Sequence, residues 1–203
     1  MPIITKALPS QERLRELFDY ESNTGNLIWK VRPESHFKNQ RGCNIFNAMY
    51  ANKVAGSINK ATGYRYISID NVNYLAHRLT YAYVHGACPF DKQIDHRDGD
   101  RLNNRIENLR VCSSSENRHN RGKHCTNTTG FKGVSWQKRC QKFTAAIFIN
   151  GKRKHLGYFT TAEQAAATYK SAAIVLHGEF AHPSVLANPF ALITGPALVG
   201  VEI

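Results

Sequence analysis

The sequence predicts an α+β chain built in two parts, and three observations carry that prediction. Residues 93–122 read as strand, loop, strand and helix. Residues 133–159 read as three short strands, the last two joined by Asn150-Gly151, a strong hairpin turn signal. Ala162–His177 then reads as a helix opened by a capping box, Thr161 with Gln164, and closed by Gly178. A length of 203 residues allows one large or two small domains and a core that needs no disulfides.

The elements follow in order. In residues 11–19, QERLRELFD, the spacing of Leu14, Leu17 and Phe18 predicts a short amphipathic helix. TGNLIWKVR predicts a turn and a strand at Leu27–Val31. Residues 34–53 are polar and irregular and read as a loop. Tyr64, Tyr66, Ile67 and Ile69 predict a strand, DNVN a turn and Tyr74–Ala76 a short return strand. His77–His85 reads as a helix with Leu75, Leu79, Ala82 and Tyr83 on one face, ended by Gly86 and Pro89. Gln93–His96 and Asn108–Cys112 are strand candidates around the Asp-, Asn- and Gly-rich turn RDGDRLNNR. Ser113 with Glu116 caps a helix running through Asn117 and Asn120 to Gly122. GKHCTNTTG reads as a linker. The stripe Ala162, Ala165, Ala166, Tyr169, Ala172, Ala173 and Leu176 is mostly small, so the last helix can lie close against the sheet. These elements divide the chain into an N-terminal extension (1–60), a central domain (61–122), a linker (123–126), a C-terminal domain (127–182) and a tail (183–203).

Charge narrows the partner. The chain holds 27 Lys+Arg against 15 Asp+Glu, a net charge of +12, which points to a polyanion. Residues 1–60 carry +4, 61–122 carry +2 and 123–203 carry +6. Lys123–Phe159 holds eight Lys/Arg and no acid, so the last third reads as a basic anchor and the middle as a chemical site. No stretch approaches the roughly 20 apolar residues that span a bilayer. The helix 162–177 has Lys170 as its single Lys/Arg, which argues against a membrane-surface role. The N-terminus lacks a signal-peptide pattern. Five scattered cysteines with no CxxC pair fit free thiols in a reducing cytosol, not a disulfide framework or a zinc site.

The middle third concentrates the chemistry. If the strand–strand–helix unit folds back, Asp95, His96, Asn108 and Asn117 converge. Asp95 and Asn117 offer oxygens to a hard divalent cation. His96, with an ordinary pKa near ~6.5, can accept a proton from an attacking water. Asn108 suits cross-linking of the loop, which would orient His96. Phosphodiester hydrolysis needs groups of these kinds. His119 is two residues from Asn117 and does not share its helix face, whereas Asn120 does.

The string AHRLTYAYVHG…IDHRDGDRLNNRIENLRVCSSSENRHN closely resembles the HNH endonucleases of bacteriophages and mobile introns, of homing type. The likeness reaches upstream to YESNTGNLIWK and AGSINKATGYRYISI, covering about residues 10–121. It implies a ββα-metal (His-Me finger) core, with the first motif position at His96 preceded by the ligand Asp95, the second at Asn108 and the third at Asn117. Many members carry His at the third position; this chain resembles the branch with Asn there. The family also places a His-Arg pair where His77 and Arg78 open a helix. A helix start facing phosphate is one reading of His77, and structural packing is the other.

TGFKGVSW, HLGYF and the Ala-rich helix ending at Gly178 resemble the DNA-binding domain of plant ethylene-response factors, over about residues 127–182. In that family a sheet enters the major groove, which admits a two-stranded ribbon. The plant domains carry arginines near Ser135 and Phe148, so their target sequence does not transfer. The contact candidates are Lys132, Trp136, Lys138, Arg139, Lys152, Arg153 and Lys154. Alternation puts Lys132, Val134, Trp136 and Lys138 on one face and Gly133, Ser135, Gln137 and Arg139 on the other. It leaves open which face meets DNA.

The expectation is therefore a divalent-metal-dependent endonuclease, with Mg²⁺ first and Mn²⁺ second, acting on double-stranded DNA. It would work as a monomer or weak dimer in the cytoplasm, with no membrane or protein partner evident. The rival reading is a non-catalytic, sequence-specific DNA-binding protein with a degenerate nuclease half.

Overall fold

A computed structural model of the chain describes residues 7–89, 91–123 and 126–186. The chain divides into two compact units, 1–113 and 114–203.

The first unit opens with α1 (Gln11–Leu17). The Ser10 hydroxyl caps it by accepting from the Arg13 amide, and Leu14 and Leu17 are fully buried. The expected helix extends through residue 19, but Phe18 has extended backbone (φ −132°) and begins β1 (Phe18–Glu21). The Phe18 side chain continues the Leu14–Leu17 stripe into the core, which is why the pattern reads as helical. β1 pairs antiparallel with β2 (Asn26–Trp29). A 3-10 turn at Glu34–His36 and the helix α2 (Gln40–Tyr50) replace the loop expected at 34–53. The Asn39 side chain caps α2 through the Gly42 amide, and Phe46 packs edge-on against Trp29. Only Cys43 of this helix is buried, so its apolar stripe is too thin to announce it.

β3 (Ser57–Ile58), β4 (Arg65–Ile69) and β5 (Val72–Leu75) form an antiparallel sheet in that order. Asp70 and Asn71 take positive φ in the β4–β5 turn. α3 (Ala76–His85) follows and ends at Gly86 with φ 83°. Its buried Ala76, Leu79 and Ala82 join Leu14, Leu17, Phe18, Leu27, Trp29, Ile67 and Ile69 in one core. Each fully buried leucine or phenylalanine there contributes about 1.5–3 kcal/mol. β6 (Gln93–His96) and β7 (Leu109–Cys112) make a separate antiparallel hairpin, with a 3-10 turn at Ile106–Asn108 before β7.

The second unit begins with α4 (Ser114–His119). Its sheet has the order β10 (Lys152–Phe159), β9 (Lys142–Ile149), β8 (Val134–Gln137), all antiparallel. Asn150 and Gly151 have φ of 50° and 78°, the double positive φ of a tight hairpin turn. α5 (Ala162–His177) is capped by Thr161 accepting from the Gln164 amide and packs its Ala165, Tyr169, Ala172 and Ala173 on Val134, Ala145 and Ile147. A 3-10 turn (Gly178–Phe180) and α6 (Pro183–Leu186) follow. The unit boundary precedes the linker expected at 123–126 because α4 packs within the second unit. The His119 ring stacks on His177 at 3.7 Å, and Lys132 Nζ donates to the His119 carbonyl. His124 and Cys125 of that linker, and residues 187–203 of the tail, lie outside the described residues. Among the described residues no helix is long and apolar enough to cross a membrane.

Candidate active site

The β6–β7 hairpin sets the site. Its register places Asp95 opposite Arg110 and His96 opposite Leu109. Asp95 is 7% exposed and its Oδ2 accepts from Arg110 Nη2 at 2.8 Å and Nε at 3.1 Å. A carboxylate buried this deeply requires a partner, and the cross-strand guanidinium supplies it.

His96 is 4% exposed at the end of β6. Its Nε2 lies 3.0 Å from Asn104 Oδ1. The His77 ring meets the His96 ring edge-on at 4.9 Å, and Tyr64 lies against both imidazoles at 5.3 and 6.1 Å. Burial lowers the pKa of His96, although Asn104 and nearby aspartates oppose that shift. Burial also pushes His77 down to about 3, with His96 adding to the effect.

The loop between the strands is fastened by Asn108. Its Nδ2 donates to Asp98 Oδ1 at 2.9 Å and to the Asn103 carbonyl at 2.8 Å. Its Oδ1 accepts from the Asp98 amide at 3.1 Å, and its own carbonyl accepts from the Arg97 amide at 2.8 Å. Asp98 also accepts from Asn103 Nδ2 at 2.7 Å. Desolvation raises the Asp98 pKa, but the bonds from Asn103 and Asn108 and from the Asp100 amide outweigh it and hold the group down.

The structure thus gathers Asp95, His96 and Asn108 on one hairpin. Asn117 lies half-buried on α4, in the other unit. His77 is 5% exposed and forms a wall of the His96 pocket, so it has no surface to offer phosphate. Arg78 is half-buried and its Nη1 donates to the Lys92 carbonyl. Asn104 has no signal in the sequence: in an Asn-rich turn nothing marks the one amide that is buried.

Among the described residues, no three His, Cys, Asp or Glu side chains gather as a metal cluster. One oriented carboxylate nevertheless fits a hard cation of the Mg²⁺ type, which takes one or two protein carboxylates and fills its shell with water and substrate phosphate. Asp95 is the carboxylate that would hold it.

In the second unit the sheet has a packed face and an open face. Val134, Ala145 and Ile147 turn inward onto α5. Trp136 shares the Val134 side and packs edge-on against Phe143. The other face carries Ser135, Thr144 and Tyr158 in one cross-strand row, Ala146 and His155 in another, and Phe148 and Arg153 in a third. Phe148 and Tyr158 are 55% and 54% exposed. Lys138, Arg139, Lys152 and Arg153 are exposed, and Lys154 is half-buried. Lys132 is half-buried, and desolvation pushes its ammonium down to about 8.

Comparison with known proteins bears on this geometry. An HNH endonuclease family model matches residues 74–119, the span that holds Asp95, His96, Asn108 and Asn117. Protein 3.8 of Escherichia phage T7 is 32% identical over 105 residues, covering 52% of this chain and 86% of the phage protein. The chain carries an HNH endonuclease domain and belongs to the same family as that phage protein. An uncharacterized HNH endonuclease of Acanthamoeba polyphaga mimivirus is 32% identical over 119 residues, 58% of this chain and 61% of the relative. No solved structure matches the chain. HNH endonucleases act on DNA and generally use a divalent metal, so this HNH domain points to a nuclease.

Proposed function

We propose that the chain is a divalent-metal-dependent endonuclease of homing type that hydrolyses phosphodiester bonds in duplex DNA. The observation that supports this most is the hairpin itself. It holds an acid and an imidazole, Asp95 and His96, side by side in sequence and buried, at the mouth of a loop fastened by Asn108. His96 is the general base. It takes a proton from a water whose oxygen forms the new P–O bond, while the ester P–O bond breaks and the leaving oxygen is protonated by solvent. Asp95 and Asn117 are the residues that would hold a divalent cation, which would supply stabilisation of the charge that builds on the phosphate and the leaving oxygen. Mg²⁺ is the leading choice and Mn²⁺ the second. The lowered pKa of His96 keeps the ring neutral, and able to accept a proton, near pH 7.

The C-terminal domain, 127–182, supplies DNA affinity as a module similar to the ethylene-response-factor domain. Its open sheet face, with Phe148, Arg153, His155 and Tyr158, is the reading face. Lys138, Arg139 and Lys152 at its turns meet phosphates. Lys132 and Trp136 support the module from the packed side. The protein works in the cytoplasm on double-stranded DNA, as a monomer or weak dimer.

The test is cleavage of plasmid DNA carrying the cognate site, with Mg²⁺ or Mn²⁺ and with EDTA. Metal-dependent nicking that disappears in His96→Ala is the expected result. DNA binding without cleavage under any divalent cation would favour the second reading, a DNA-binding protein whose Asp95 is permanently committed to Arg110.

A further inference from the structure

The β1–β2 hairpin meets the β6–β7 loop beside the chemistry, at Gly25 and Tyr20. Asn104 is 2% exposed, and its Oδ1 lies 3.0 Å from His96 Nε2. An amide oxygen only accepts, so the imidazole nitrogen facing it must donate. A neutral imidazole has one N–H, and the opposite tautomer would set two lone pairs against each other in a buried pocket.

Asn104 is itself held from the β1–β2 hairpin. Gly25, at φ 77° in the turn between these strands, lies close against the Asn104–Arg105 peptide. A Cβ there would stand 2.3 Å from the Arg105 nitrogen and from the Asn104 carbonyl carbon. Two residues further, the Ile106 amide donates to Tyr20 Oη at 3.0 Å, and Tyr20 is part of β1. On the other side the His77 edge limits rotation of the His96 ring.

We propose that Asn104 is the positioning residue of the general base. Its amide oxygen takes the Nε2 proton of His96, so that the lone pair lies on Nδ1, and Gly25 and Tyr20 of the N-terminal hairpin fix Asn104 in that role. The inference rests on His96 being the base, and it assigns a task to a segment upstream of the matched HNH region.

The test uses the full chain labelled with ¹⁵N-histidine, with the His96 ring signals identified by their loss in His96→Gln. Wild type should show a protonated Nε2 and an unprotonated Nδ1. In Asn104→Leu the tautomer should shift, and plasmid cleavage should fall on the order of 100-fold, the low end of what a positioned base contributes, with DNA affinity unchanged. Asn104→Asp keeps an acceptor oxygen, so it should keep the wild-type tautomer and cut faster than the Leu variant. Gly25→Ala should shift the same two signals from a distance. A wild-type His96 protonated on Nδ1 overturns the proposal, even if Asn104→Leu does not fold. So does a folded Asn104→Leu that keeps the wild-type tautomer. Failure of the nuclease reading shows separately, as a wild type that cuts no DNA with any divalent cation.

Discussion

At the scale of single residues, the HNH hairpin concentrates groups that are costly to bury. Arg110 and Asp95 neutralise each other across the strands, and removing one leaves the other charge uncompensated. Arg110→Leu should therefore lower unfolding free energy by roughly 3–5 kcal/mol, measured by urea titration. His77 affects stability in the same sense as an acid that gains a partner, because its pKa too is lowered on folding. Its folded-state pKa, about 3, lies below its ordinary value of 6.5, so the unfolded chain takes up the proton first. Its contribution is complete above about pH 6.5 and is lost as pH falls toward 3, by up to about 1.4 kcal/mol per unit. Urea midpoints between pH 7 and 4 should drop in wild type, and drop less in His77→Phe. The motif residues Asp95, His96 and Asn108 were legible because a distinctive string carries them. Asn104 was not, since its importance comes from burial, and burial of one amide among several leaves no trace in spacing. His77 was half-legible: its place in the motif was visible, but the ring that it faces was not.

At the scale of elements, local signals decided what could be read. α5 announced both of its ends, through Thr161–Gln164 and Gly178, and the β9–β10 hairpin announced its turn through Asn150-Gly151. β1 was hidden because Phe18 extends a helical stripe while its backbone turns extended. α2 was hidden because a helix with one buried residue has almost no apolar period. The close approach of β8 to α5 was legible only as a stripe of small residues on the helix. A tight point of that packing is on the other side, at Gly133. It has φ 75°, and a Cβ would come within 2.1 Å of the Tyr169 ring. Gly133→Ala combines left-handed strain of about 1–2 kcal/mol with that clash, so it should lower the melting temperature and weaken DNA binding together. An unchanged melting curve would show that the sheet and helix are not locked at this point.

At the scale of the whole molecule, the charge division visible in the sequence becomes exposed basic side chains at the two turns of the second unit's sheet. The basic side chains that reach solvent in the second unit include Lys138, Arg139, Lys152 and Arg153. Replacing these four by alanine should weaken DNA binding. It should also flatten the salt dependence of log K, by about 0.9 for each phosphate that is no longer neutralised. An unchanged slope in a salt titration would place the phosphate-binding groups elsewhere. The same scale gives the boundary its meaning. The HNH match ends at residue 119, whereas the compact units divide after Ser113, so the homologous segment and the folded unit are different lengths of chain. The third motif position, Asn117, is therefore built on the side of the division that carries the basic sheet. Anyone recombining this nuclease with a foreign DNA-binding module would cut naturally at the polar stretch near residue 123. That splice would strip His119 of the His177 ring that it stacks on and of the Lys132 ammonium at its carbonyl. The chimaera would inherit the complete HNH signature and lack the packing that supports its last helix, so the portable piece of this chain is larger than its motif.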